Sequence, residues 1–176
     1  MKALLYRRSV PRYLASMLAS KLAPRRFFPF LAPLALENLP FDPPKGWLPL
    51  RPLLCGICGS DLGLLRGLES PLLEPYASLP FILGHEMVAE LAEDVPELGL
   101  DAGARVVVEP GLPCEVRNLP PCPSCREGRY NRCERFLDGD LPAGSFLGFT
   151  RRAGGAMAER TAAHPSRILA VPQGLS

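Results

Sequence analysis

The sequence predicts a mainly β, β-rich α+β domain, roughly barrel-like, carrying one small cysteine-rich lobe. Three observations carry that reading. Twenty-one prolines spread over 176 residues leave little room for long helices. The apolar residues fall into short runs bounded by Pro, Gly and Asp, the pattern of strands and turns. The length suffices for one real core and is short for two full domains.

Taken in order, Lys2–Tyr6 is a short apolar run expected at a sheet edge. Ser9 stands where a helix cap is expected and Pro11 sits in the first turn. Tyr13, Leu14, Met17, Leu18 and Leu22 then recur at helical spacing until Pro24 ends the run. Phe27, Phe28, Phe30 and Leu31 form a stripe expected to cover an apolar surface. Residues 34–39 and 47–55 read as a strand pair joined through Asp42-Pro43-Pro44-Lys45-Gly46, and a short helix is expected over 60–66. Phe81-Ile82-Leu83 leads into Gly84-His85-Glu86, and strands are expected at 87–91, 105–109, 155–160 and 168–171. The architecture expected of these elements is a loop-heavy barrel-like domain.

Bulk properties exclude several classes. A net charge of +2 and a pI near 8.3 give no argument for nucleic acid or an acidic membrane surface. No apolar stretch approaches a membrane span. Six cysteines without a secretory leader (after the basic N-terminus, Lys21, Arg25 and Arg26 interrupt what should be an unbroken apolar stretch) point to metal or redox chemistry in the cytoplasm rather than to disulfides.

Two clusters carry the chemistry. In the first, Cys58 is expected where a strand gives way to a helix, whose positive end favours the thiolate. His85 follows a glycine that permits a sharp turn, so its ring can reach the same point. Asp61, one turn past Cys58, can accept from the other ring nitrogen. Glu86 offers a further oxygen as a ligand or just behind the ligands, and the Ser60 hydroxyl is placed to pass a proton to or from a substrate alcohol. Cys and His with carboxylates nearby make an open, reactive zinc site that would polarise a substrate oxygen. A redox Cys55–Cys58 pair would need a βαβ context that is missing, and a hydrolase triad of Ser60, Asp61 and His85 would need a G-x-S-x-G elbow. His164 reads as an ordinary satisfied histidine and Cys55 as core. In the second cluster, Cys114, Cys122, Cys125 and Cys133 form the ligand set of a closed, structural zinc site.

The run C-G-I-C-G-S-D from Cys55, then G-H-E from Gly84, then D-A-G-A-R-V-V-V-E-P from Asp101, resembles the catalytic domain of medium-chain zinc-dependent alcohol dehydrogenases. The resemblance implies a GroES-like β fold over nearly the whole of residues 1–176. It implies Cys58 and His85 as catalytic zinc ligands, Ser60 as the proton-relay hydroxyl, Asp61 as the support of His85 and Glu86 as a near or alternate ligand. Ala89 departs from the family's G-H-E-x-x-G, and the stretch from about 9 to 33 is longer than usual. The family's C-x2-C-x2-C-x7-C lobe is matched at Cys122, Cys125 and Cys133. Leu119 holds its first position, so Cys114 is the expected replacement, through a longer loop that closes at little extra entropic cost. The lobe, about 111–136, is expected to order a surface loop.

These readings imply zinc in two sites, one structural and one catalytic whose occupancy is open. No G-x-G-x-x-G occurs and no alternating strand–helix half is seen, so NAD(P) is expected only through a nucleotide-binding domain or chain absent from these residues. The expected function is the zinc-binding part of an alcohol or polyol dehydrogenase, silent alone and a candidate for homo-oligomer formation. The competing reading is a non-enzymatic, zinc-stabilised binding module or truncated remnant using the apolar face of Phe27, Phe28 and Phe30.

Overall fold

The computed structural model describes residues 1–69, 74–172 and 174–175. Two antiparallel sheets organise the described residues. The smaller has the order β2-β1-β4, with β1 Lys2–Tyr6, β2 Leu34–Asn38 and β4 Phe81–Ile82. The larger has the order β7-β3-β5-β6-β8, from β3 Leu48–Cys55, β5 Met87–Leu91, β6 Arg105–Val108, β7 Thr161–Ala163 and β8 Ile168–Ala170. Among the described residues three α-helices accompany them: α1 Val10–Leu22, α2 Gly59–Leu65 and the single turn α3 Pro123–Arg126.

The centre of the large sheet is where alternation works best. In β5, Met87, Ala89 and Leu91 point into the core, and in β6 Val106 and Val108 meet them. Val88 pairs with Val107 and Ala89 with Val106, while β3 runs along the other side of β5 with a register shift between Pro52 and Leu54. That irregularity falls where proline cannot donate to the ladder. Trp47, Leu50, Leu147 and Ile168 complete this core. A second cluster, Tyr6, Leu64, Ala77, Phe81 and Leu83, lies under the small sheet and α2.

Several expectations are corrected. β1 is the middle strand of its sheet, because β2 and β4 flank it, and not an edge. Residues 34–38 and 48–55 are not a hairpin: β2 pairs with β1, while β3 pairs with β5 and β7 in the other sheet. The nine residues 39–47 between them, with Pro40, Pro43 and Pro44, turn the chain from one sheet to the other. The strand expected at 155–160 instead forms at Thr161–Ala163; Ala158 makes only an isolated bridge to Ala3, and Gly155 lies hard against the Ile82 and Leu83 carbonyls.

The helix after Ser9 forms over Val10–Leu22, yet its orientation reverses the apolar-in rule. Leu14, Leu18 and Leu22 are exposed, and Ser16 and Ser20 are buried. The cause is close packing of α1 on the chain after α2. Gly67, at φ 65°, has the Met17 amide and the Tyr13 carbonyl so close that a Cβ would sit about 3 Å from both, so only small side chains can face this contact. Ser20 Oγ donates to the Arg66 carbonyl at 2.8 Å, and Tyr13 Oη to that of Glu69 at 2.5 Å. The stripe at 27–31 likewise covers little: Phe30 is 71% exposed and packs edge-on against Phe28.

Candidate functional site

β3 ends at Cys55 and α2 begins at Gly59, so Cys58 occupies the N-cap between strand and helix. Asp61, in the first turn and only 1% exposed, accepts the Cys58 backbone N–H at 2.9 Å through Oδ2. This is the capping interaction that an acidic third helical residue provides. It leaves Asp61 Oδ1 free. That oxygen faces His85 Nδ1 at 3.7 Å, and both atoms are buried without a hydrogen-bond partner among the described residues. The separation exceeds a hydrogen bond, but two complementary orphaned atoms facing each other need only a small approach to make one.

His85 and Glu86 stand in the turn between β4 and β5. The turn depends on Gly84, whose φ of 94° suits glycine alone and whose absent Cβ would lie 2.6 Å from Cys55 Sγ. The Phe149 ring packs 5.1 Å from the His85 ring and walls the site. Cys58, His85 and Glu86 each bring a ligand atom within 4.8 Å of the others. Cys58 and His85 are half-buried and Glu86 is exposed, so the cluster opens to solvent on one side. Ser60 lies half-buried on the first turn of α2. Cys55 is outside this ligand group; burial pushes its thiol up, and Asp61 and Glu86 add to the shift.

In the lobe, Cys114, Cys122, Cys125 and Cys133 also lie with their sulfurs within 4.8 Å of one another, and the first three are buried. All are free thiols, with Cys114 and Cys133 sulfurs 3.6 Å apart, far beyond a disulfide bond. Leu119 packs against the cluster as an apolar neighbour. Burial would raise the Cys122 thiol, but backbone N–H groups at Glu134 and Cys125 and the adjacent thiols bring it down to about 7. Burial pushes Cys125 up to about 12 and raises Cys133. A metal entering here must therefore displace protons from Cys125 and Cys133 at neutral pH, so its hold weakens as pH falls. Four convergent thiols suit zinc, as does the sulfur, imidazole and carboxylate set of the other cluster.

Sequence reasoning missed Arg117. It is wholly buried, and its guanidinium donates to the carbonyls of Leu112, Asp138, Leu141, Pro142 and Gly144. Burial lowers its pKa, while Cys133, Asp138 and Cys114 oppose the shift. Arg117 forms no ion pair among the described residues, and with Cys114 and Cys133 close by its charge would favour their thiolate forms. Nothing in the local sequence distinguishes it from an exposed arginine. Phe149 was missed for the same reason: only the tertiary fold brings it to His85.

A family model, the alcohol dehydrogenase GroES-like domain, matches residues 44–173. The chain belongs to this family. A sorbitol dehydrogenase of Bacillus subtilis is 34% identical over 105 residues, 58% of this chain and 28% of the relative. An L-arabinitol 4-dehydrogenase of Aspergillus oryzae is 41% identical over 86 residues, 47% of this chain and 20% of the relative. Among solved structures, an alcohol dehydrogenase from Thermus sp. ATN1 aligns over all of this chain and 41% of its own, with TM-score 0.60 and 26% identity. The domain thus matches a quarter or so of the curated polyol dehydrogenases and about two fifths of that crystallised enzyme. Among the described residues no helix is long and apolar enough to cross a membrane.

Proposed function

We propose that residues 1–176 form the zinc-binding, substrate-activating part of an NAD(P)-dependent alcohol or polyol dehydrogenase. The observation that carries this is the convergence of Cys58, His85 and Glu86, with Asp61 behind His85. Cys58 Sγ and His85 Nε2 would hold zinc, since Nδ1 is turned to Asp61, and Glu86 is the third donor or the group a substrate displaces. When bound, zinc supplies Lewis acidity toward a substrate oxygen. Asp61 fixes the His85 tautomer, Phe149 keeps water from one side, and Ser60 takes the hydroxyl proton away from the site. The sorbitol and arabinitol dehydrogenases similar to this chain favour a polyol.

No side chain in residues 1–176 accepts a hydride, so the nicotinamide must be held by other residues, on the same polypeptide or a partner. A related putative zinc-binding dehydrogenase from Sinorhizobium meliloti 1021 is bound to NADP, which supports this class of acceptor. The lobe zinc would be structural, on Cys114, Cys122, Cys125 and Cys133. The test is zinc per chain by elemental mass spectrometry. Two zincs are expected, one lost in Cys58→Ser and the other in Cys125→Ser. Loss of nothing in Cys58→Ser would remove the reactive-site assignment. Residues 1–176 alone are expected to leave NAD(P)+ unreduced with polyols, and to gain activity when a nucleotide-binding domain is supplied; turnover without one would overturn the division of labour.

A further inference from the structure

We propose a second ligand site, for a phosphate-bearing anion, in a cavity of about 410 Å³ between the end of β7, the turn at 39–44 and the loop at 151–154. Arg151, Arg152 and Arg160 line it, with Asp42 as the one carboxylate, so the wall is cationic. None of these three guanidinium groups makes an ion pair or a side-chain hydrogen bond among the described residues. Arg7, Arg8, Arg51, Arg129, Arg135 and Arg167 have a carboxylate partner, and several exposed arginines elsewhere do not; what sets these three apart is that they share one cavity. Gathering like charges on one wall costs free energy that an anion would recover.

Three further features mark the cavity as built. Thr161, on its lining, is 2% exposed, and its Oγ1 is buried with no hydrogen-bond partner among the described residues. A hydroxyl left so can donate to a ligand oxygen. Arg152 is held at φ 68°, a left-handed backbone that side-chain-bearing residues seldom adopt. Arg160 lies 4.2 Å over the Phe41 ring, which fixes the plane of its fork. A guanidinium fork held in place, as that of Arg160 is, suits the multiple oxygens of phosphate. The volume lies within the range of about 300–1,000 Å³ for small-molecule sites. Phe41 and the prolines at 40, 43 and 44 add an apolar wall suited to the organic part of a phosphate ester. The site uses none of the zinc-ligand residues and stands or falls apart from them.

Isothermal titration of the zinc-loaded chain with phenyl phosphate and with inorganic phosphate, at constant ionic strength, tests it. Saturable one-to-one binding is expected, weakened about tenfold or more in Arg152→Ala and in Arg160→Ala, the loss of one charge-assisted hydrogen bond. Thr161→Val should weaken it less, and circular dichroism should match the parent for all three. Tighter binding of phenyl phosphate assigns the site to a phosphate ester; equal affinity assigns it to free phosphate; either carries the proposal. Absence of saturable binding overturns it. So does an equal loss in Arg25→Ala, an exposed arginine outside the cavity, since that would reduce the effect to net charge.

Discussion

Asp61 does two things with two oxygens. Oδ2 caps α2 through the Cys58 amide, and Oδ1 is left toward His85 Nδ1. Carboxylate partners behind a ligating histidine typically change metal affinity by about 10–100-fold. Asp61→Asn should therefore weaken zinc at the reactive site by about that factor in chelator competition and leave the lobe zinc untouched. Equal affinity in the variant would mean that Asp61 serves the helix alone. Tyr6 illustrates a different residue-scale effect. Burial, with Tyr13 adding, pushes its phenol up to about 12 from 10.0, and its hydroxyl donates to the Leu64 carbonyl at 3.3 Å. A proton held more tightly in the folded chain stabilises the fold. That contribution is complete below about pH 10 and is lost as pH rises toward 12. Tyr6→Phe should flatten the fall in stability over that interval, measured by urea unfolding at stepped pH. An unchanged slope would show that Tyr6 titrates alike in both states.

At the scale of elements, α1 is held by close backbone approach rather than by an apolar stripe. Gly67→Ala places a Cβ about 3 Å from the Met17 and Tyr13 backbone at a positive φ, and overpacking of this kind costs about 1–3 kcal/mol. The expected result is faster amide exchange across Val10–Leu22 with β5 and β6 unaffected; uniform protection would mean that α1 is docked by other contacts. This helix also shows what the sequence could not reveal. Its existence was legible from Ser9, Pro11 and the apolar spacing, but periodicity cannot say which face meets the domain, and two buried serines decided it. Likewise β5 and β6 were legible because one-sided burial enforces alternation. The partner of β2 was not, because pairing between sheets depends on the path of the 39–47 turn and not on local pattern. Of the sites, the meeting of Cys58 with His85 and Glu86 was legible from Cys58-Gly-Ser-Asp and Gly-His-Glu. Phe149 and Arg117 were not, since neither carries a spacing signal.

At the scale of the whole molecule, the lobe is more than an ordered surface loop. Leu112, Val116 and Leu141 belong to the same core as Trp47, Leu50 and Val106. The Arg117 guanidinium ties the segment at 138–144 to the residues after Cys114. Arg167 joins the lobe to the sheet a second time, bonding Glu109 at 2.7 Å while lying 4.6 Å over the Tyr130 ring. Metal bound in the lobe would therefore be coupled to the fold of the domain, whereas the Cys58, His85 and Glu86 cluster lies open at Glu86. Chelation should proceed in two stages. The first removes the reactive zinc and leaves the emission of Trp47, the sole tryptophan, unchanged. The second removes the lobe zinc, shifts Trp47 emission to the red and lowers the midpoint of the whole chain. A ligand present at a thousandfold its Kd contributes about 4 kcal/mol, which for a domain of this length is a fall of roughly 10 °C. Cys125→Ser should reproduce the second stage without chelator. A domain that kept its midpoint and its Trp47 emission after losing the lobe zinc would be built from two independent units, and the shared core of Leu112, Val116 and Leu141 would carry no coupling.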